Sequence, residues 1–413
     1  MVRNHKLQNV LIISYNFPPE GGPAVQRVAK FCKYWSRSGL NIFVLTADKK
    51  HVVSDPSLMY DLNAIQIHKT RDWGDRLPGD LKKLLRQFLM PDNAALWRWT
   101  AVRRGIELVK KEKIDLIFST SPPHSSHVVA EKIAKHCRIP WITDFRDEWS
   151  HNPSFHKQPA QNKQKQLENR VLNSCNHIVA VTAKARDNFI RMAPLHKTSL
   201  IRNGFDEESF SGLKKKEHAG HIQSNKLKIA YAGRLNQLHN PIPFFAALDR
   251  LVLTGRLMAN EVEIEIIGNL ENRKWIKDFP RLNKMVRFID YMPHEQVLSH
   301  LTDADALLLL ATGMHNTEFF PAKVFEYFKL EKAIFAVVTK YGELWQIISE
   351  YGNAWLAKEA EILEIEEQLL DMHKWLKTDM LQKPVNREFV NQFCREKQAN
   401  ELIRVMENVV ENI

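Results

Sequence analysis

Short runs of β-branched and other apolar residues recur along this chain. Between them lie stretches in which apolar positions return every three or four residues. The run VLIIS at 10–14 reads as a buried strand, and residues 24–38 then place Val25, Val28, Ala29, Cys32 and Trp35 on one helical face. Further strand-like runs stand at 41–46 (NIFVLT), 115–120 (DLIFST), 141–144 (WITD) and 177–182 (HIVAVT). The pattern restarts after residue 205, at 228–233 (KIAYAG), 262–268 (VEIEIIG), 286–290 (VRFID), 305–311 (DALLLLA) and 333–338 (AIFAVV). Strands apolar on both faces, with helices between them, predict parallel sheets covered on both sides. Right-handed crossovers make each series doubly wound. The expected fold class is therefore α/β, with Rossmann-like domains at 1–205 and 206–385 facing each other across a cleft. The polar stretch 211–228 reads as the junction between them. The remainder, 386–413, is expected to form one amphipathic helix packed across the domains, its apolar face carrying Phe389, Phe393, Leu402, Val405, Met406 and Val409.

Length agrees with this division, since 413 residues make two or three domains at roughly 100–200 residues each. Hydrophobic residues at 44% and charged residues at 26% exclude global disorder. Charge adds something the pattern does not. The 59 Lys+Arg against 48 Asp+Glu leave a net +11, which favours an anionic partner: nucleic acid, an acidic membrane or a phosphorylated substrate. No apolar run approaches the ~20 residues of a membrane span, and 10–13 is too short for a signal-peptide core. Cys32, Cys137, Cys175 and Cys394 form no CxxC and no metal spacing, so they read as reduced cysteines of a cytosolic protein.

In open α/β sheets ligands bind beyond the carboxyl ends of the strands, so candidate chemistry is sought there. After the first strand comes SYNFPPEGGP, where Gly21 and Gly22 allow close backbone approach ahead of a helix. After DLIFST comes SPPHSSH, with His124 and His127 able to donate to a sugar hydroxyl or to developing charge. Asp144, Arg146 and Asp147 at the end of WITD form either an ion-paired turn or a set of carboxylates for acceptor hydroxyls. In the second series, Gly233 and Arg234 end a strand, and an arginine fork suits phosphate oxygens. His239 follows just before Asn240-Pro241. The segment EFFPAKVFEYF puts Glu318 in a loop and Lys323 and Glu326 on the helix after Pro321, with carboxylates able to hold vicinal diols.

Together these residues resemble glycosyltransferase family 4 of the GT-B fold, from about residue 8 to 405. PPEGG, SPPHSSH, the DFRDEW version of a DxRDxW segment, RNGFD at 202–206 and Glu318-x7-Glu326 occur in the family's order. The resemblance implies retaining transfer of a sugar from a nucleotide-diphosphate donor of the UDP or GDP type, without a bound metal or other cofactor. By the same resemblance, Arg234 contacts the donor pyrophosphate, with Gly21 and Gly22 under the phosphates. Glu326 holds the ribose and Glu318 the donor sugar, while His124 or His127 lies near the reacting centre. On the reading of the residues themselves, Asp144, Arg146 and Asp147 are expected to take the acceptor. Two positions depart from the pattern. His239 stands where a lysine is usual, with Lys323 available to supply the charge, and Arg202 replaces a proline.

The acceptor is expected to be a glycan or lipid-linked glycan of cell-surface polysaccharide. Lys82, Lys83 and Arg86 among leucines, then Trp97, Arg98, Trp99, Arg103 and Arg104, suggest a basic, aromatic face. Such a face suits an anionic membrane surface and a peripheral place on the inner side of the cell membrane. An epimerase or hydrolase of the same fold is the alternative. A non-enzymatic basic protein is less favoured, since no aromatic–basic nucleic-acid motif is present.

Overall fold

The computed structural model describes residues 6–49, 54–78, 89–150, 161–213, 226–268, 270–312, 321–378 and 383–412. The chain forms two compact units, Met1–Asn203 with Arg395–Ile413, and Gly204–Cys394. In the first, strands β1 (Asn9–Ile13), β2 (Asn41–Asp48), β3 (Gln66–Arg71), β4 (Leu116–Ser121), β5 (Trp141–Phe145), β6 (His177–Ala180) and β7 (Lys197–Leu200) make one sheet. Their order is β3-β2-β1-β4-β5-β6-β7, and every neighbouring pair is parallel. Helices α1 (Pro23–Arg37), α2 (Arg98–Lys111), α3 (Ser125–Cys137), α4 (Gln161–Leu172) and α5 (Ala183–Met192) connect them. The strand pleat sends Leu11, Ile13, Phe43, Leu45 and Ile117 to one core and Val10, Ile12, Ile42, Val44 and Phe118 to the other. That division is why these strands read as continuous apolar runs.

The second unit repeats the plan with six parallel strands in the order β10-β9-β8-β11-β12-β13. These are β8 (Leu227–Ala232), β9 (Val262–Ile267), β10 (Val286–Ile289), β11 (Ala306–Ala311), β12 (Ala333–Val338) and β13 (Ala354–Lys358). Helices α6 (Ile242–Leu253), α7 (His294–Asp303), α8 (Lys323–Leu330), α9 (Glu343–Tyr351) and α10 (Ile362–Lys377) cover them. Leu227 and Lys228, expected in the junction, open β8, with Leu227 buried in the core. Three strands escaped the hydrophobic pattern: β3 (QIHKTR), β7 (KTSL) and β13 (AWLAK). Each is an edge strand; β3 and β7 are polar, as an edge tolerates, whereas β13 is apolar but only five residues long.

The expected single C-terminal helix is two: α11 (Arg387–Asn391) and α12 (Arg395–Glu411). The chain leaves helical geometry between them to pair with Phe205, whose N–H donates to Phe393 O at 3.0 Å. The apolar face is shared out accordingly. Phe389 and Phe393 pack with Phe325 and Phe328 in the second unit. Ala399, Leu402 and Met406 pack on α1 in the first, where Trp35 Nε1 donates to Ala399 O at 3.1 Å. No helix among the described residues is long and apolar enough to cross a membrane.

Candidate functional site

In the second sheet the strand order reverses between β8 and β11, the place where an open α/β sheet parts its loops. Gly233 leaves β8 at φ +131°, which few L side chains adopt, and a Cβ there would lie 2.9 Å from Lys323 Nζ. Gly268 leaves β9 at φ +142°, and its Cβ would meet Gly233 O at 3.0 Å. Glycine at both positions lets two loops and a lysine share one small space. Buried Asn272 fixes the turn from both sides. Its Nδ2 donates to Gly233 O at 3.2 Å, and its Oδ1 accepts from Leu235 N at 3.0 Å. Arg234, between them, is 70% exposed at its side chain and 3.7 Å from Glu271.

Lys323 opens α8 with its Nζ 3.9 Å from the Tyr231 ring centre, and it forms no ion pair among the described residues. Burial pushes its ammonium down to about 7, against a partial opposing pull from Glu326. His239 donates from Nδ1 to Leu310 O at 2.8 Å, since a carbonyl can only accept. Burial and the nearby Lys323 push His239 down to about 4, so its ring is neutral. Its loop is tied to the end of β11: Asn240 N donates to Thr312 Oγ1 at 2.8 Å and Thr312 N to Leu238 O at 3.1 Å. Glu326, one helical turn beyond Lys323, accepts from His294 Nε2 at 2.9 Å, and His294 is the first residue of α7. Tyr327 OH accepts from Ala232 N at 3.3 Å and so holds α8 to the end of β8.

Arg234 and His239 from the loop after β8, and Lys323 and Glu326 from α8, thus come to one sheet edge. Glu318 lies outside the described residues, as do Lys82, Lys83 and Arg86. Sequence reasoning missed Asn272, Thr312 and His294. None belongs to a periodic pattern, and each acts through a partner at least 30 residues away.

In the first unit the order reverses between β1 and β4. Half-buried Gly21 precedes Gly22, which caps α1 at φ +113°. Lys49 steadies that loop with hydrogen bonds to Asn16 Oδ1 at 2.7 Å and Glu20 Oε1 at 3.0 Å. After β4, His124 caps α3 and stacks on Trp149 at 4.5 Å. His127 is fully buried, its Nδ1 2.8 Å from Ser119 Oγ, which in turn accepts from Trp141 Nε1 at 2.7 Å. Burial pushes His127 down to about 3 and His124 well below the usual imidazole range. Both rings are therefore neutral and enclosed. Asp92 supplies the first turn of α3 with acceptors, taking Ser125 N at 2.9 Å and Ser125 Oγ at 2.7 Å.

At the end of β5 the polar groups face inward. Asp144 accepts from Arg27 NH2 at 2.8 Å and from Thr120 Oγ1 at 2.8 Å. The same guanidinium donates to Ile201 O at 2.9 Å and Arg202 O at 2.7 Å, so Arg27 also holds the start of the Arg202-Asn203-Gly204 segment. Arg146 donates to Ser121 O at 2.8 Å and Pro122 O at 2.6 Å, which fixes the proline loop after β4. Of the three residues assigned to an acceptor, Asp144 and Arg146 are thus engaged internally. Asp147 is half-buried, and burial raises its carboxyl against the pull of Arg146.

Known proteins divide as the sheets do. Residues 24–209 match Glycosyltransferase Family 4, and residues 214–385 match Glycosyl transferases group 1. No curated protein sequence matches. Among solved structures, sucrose-phosphate synthase from Thermosynechococcus elongatus is 14% identical with a TM-score of 0.67, over 96% of this chain and 98% of that one. The lipopolysaccharide outer core galactosyltransferase WaaB is 12% identical with a TM-score of 0.61, over 96% and 99%. UDP-GlcNAc 2-epimerase from Methanocaldococcus jannaschii is 11% identical with a TM-score of 0.58, over 97% and 99%. At these identities the structures speak for the GT-B fold alone. The consecutive family matches over both sheets say more: the chain belongs to the family 4 type of glycosyltransferases.

Proposed function

We propose that the chain moves a sugar from a nucleoside-diphosphate sugar to a glycan acceptor, with retention and without a metal. The observation that carries this reading is half-buried Lys323, with no ion-pair partner among the described residues, set over the Tyr231 ring beside the Gly233 turn and Arg234. A cation held that way suits phosphate oxygens. As the sugar leaves, the diphosphate gains charge, and Lys323 and Arg234 stabilise it more in the transition state than in the bound donor. Neutral His239 leaves the second phosphate clamp to Lys323. Glu326, oriented by His294, takes the ribose diol, and Glu318 takes the donor sugar. Gly21 and Gly22 border the phosphates. The acceptor hydroxyl attacks on the face the leaving group departs from, and the departing phosphate oxygen takes its proton. In the first unit, His124 and His127 support the loop after β4 through packing, and Asp147 is assigned to acceptor hydroxyls.

Thermal-shift measurements with UDP, GDP, ADP and their glucose conjugates test the donor, because a ligand of the folded state raises the melting temperature. One base series should stabilise the protein. Arg234→Ala and Glu326→Ala should each cut transfer at least a hundredfold with the fold retained, and full activity in either would sink the assignment. Conversion of the nucleotide sugar without any acceptor would favour the epimerase reading.

For the acceptor we propose a lipid-linked glycan at an anionic membrane surface. Trp99 on α2 is 75% exposed, and Arg103 beside it is exposed as well. An aromatic ring flanked by cations suits the headgroup layer. Co-sedimentation with phosphatidylglycerol vesicles at low salt should fall severalfold in Trp99→Ala/Arg103→Glu. Absence of binding by the unaltered protein would refute the membrane reading.

A further inference from the structure

Four non-glycine residues among those described hold left-handed backbone: Lys113, Arg138, Glu331 and Tyr341. Three have an ordinary reason. Arg138 and Glu331 cap the ends of α3 and α8, and their N–H groups bond back to Ala134 O and Phe328 O. Lys113 follows the end of α2, where Ile114 N closes the turn onto Val109 O. A left-handed residue there satisfies the last helical carbonyls. Tyr341 ends no helix. It stands at φ +63° in the loop between β12 and α9. A bulky side chain is disfavoured in that conformation. The adjacent Gly342 sits at φ −75°, which any residue adopts. The loop therefore holds a glycine and does not use it where glycine would relieve the strain.

Among the described residues the tyrosine gains little packing in return. The residue is 78% exposed, and its described contact is Lys340, whose Nζ lies 4.8 Å from the ring centre. Its place is informative. β12 runs beside β11 to the last pair, Ala311 with Val338, so Tyr341 leaves the same carboxyl edge as Thr312, which is bonded to the His239 loop. Strained residues kept without a structural return concentrate where ligands bind.

We propose that Tyr341 is a stacking residue for the sugar ring of the nucleotide-sugar donor. This assignment rests on the donor reading of the second unit. A pyranose offers a face of polarised C–H groups, and an aromatic face is electron-rich, so the two meet in offset stacking. Lys340 beside the ring favours a donor whose sugar carries oxygen acceptors at its rim.

The experiment is calorimetric titration of UDP-, GDP- and ADP-glucose and of the free diphosphates into the unaltered protein, Tyr341→Gly and Tyr341→Phe. For the base series that binds, Tyr341→Gly should weaken the nucleotide sugar about tenfold and the free diphosphate less than twofold. Tyr341→Phe should retain both affinities. The melting temperature of Tyr341→Gly should be unchanged or higher, because the strain is relieved. Equal affinity of Tyr341→Gly and the unaltered protein for the nucleotide sugar overturns the assignment while leaving the donor reading intact. Parallel loss of the sugar conjugate and the free diphosphate overturns it too, as does a lower melting temperature. If no member of the panel binds the unaltered protein, the donor reading fails and the assignment falls with it.

Discussion

A lysine whose ammonium sits over a tyrosine ring gains a cation–π contact, and with no ion pair among the described residues it stays open to an anionic ligand. Lys323 was marked in the sequence as a replacement for the charge absent at His239, and the structure puts its ammonium against the Tyr231 ring beside Gly233. What the sequence could not show was the lack of room. The closeness of Gly233, Gly268 and Lys323 follows from three segments meeting at a sheet edge, and no local spacing encodes it. The pKa of about 7 makes a signed prediction. An anionic diphosphate raises that pKa, so the bound lysine is protonated at pH values where the free one is not. Below pH ~6 both forms are protonated and affinity is flat. As pH rises above ~7, binding must take up a proton, and affinity should fall by up to about tenfold per unit. Lys323→Met should bind more weakly and lose this slope. A slope retained in Lys323→Met would assign the titration to another group.

Among elements, α1 shows how far the periodic reading reaches. Its apolar stripe was legible from Val25 to Trp35, and by the same pattern Arg27 belongs on the polar side. It is instead wholly buried, because Asp144 at the end of β5 and the carbonyls of Ile201 and Arg202 use its guanidinium fully. One side chain thereby joins a helix, a strand end and the segment after β7. Asp144 was singled out in the sequence as a candidate ligand, and its partner lies 117 residues away. Arg27→Met should leave a buried, unpaired carboxylate and cost about 3–5 kcal/mol in urea unfolding. The pair Arg27→Met/Asp144→Leu should recover a large part of that. A loss below about 1 kcal/mol in the single variant would show that the ion pair is not holding these elements. Edge strands mark the other limit of legibility. Central strands announce themselves by apolar residues on both faces, whereas the edge strands β3 (QIHKTR) and β7 (KTSL) carry polar residues that resemble loop, and β13 (AWLAK) is apolar but only five residues long.

At the scale of the molecule, the two parallel sheets were legible because the strand-and-helix rhythm runs twice. The ownership of the C-terminus was not. Hydrophobic spacing makes α11 and α12 look continuous, yet Phe389 and Phe393 belong to one core and Leu402 and Met406 to the other. Deleting Arg395–Ile413 should therefore damage the first unit, whose α1 loses the cover of Ala399, Leu402 and Met406. Leu402→Ala alone should cost about 2–5 kcal/mol of that unit's stability. Differential scanning calorimetry should show the transition of the first unit displaced and that of Gly204–Cys394 nearly unmoved. Equal displacement of both transitions would contradict the division.

That division also sets an order in time. A chain emerging from the ribosome finishes Gly204–Cys394 before it delivers α12, so the second unit can close while the first still lacks its last helix. At ~5–20 residues per second, the first sheet waits about 10–40 s after Asn203 is made. Through that interval the side of α1 bearing Trp35 lacks the cover of Ala399, Leu402 and Met406, and the nascent first unit is open to aggregation until α12 is made.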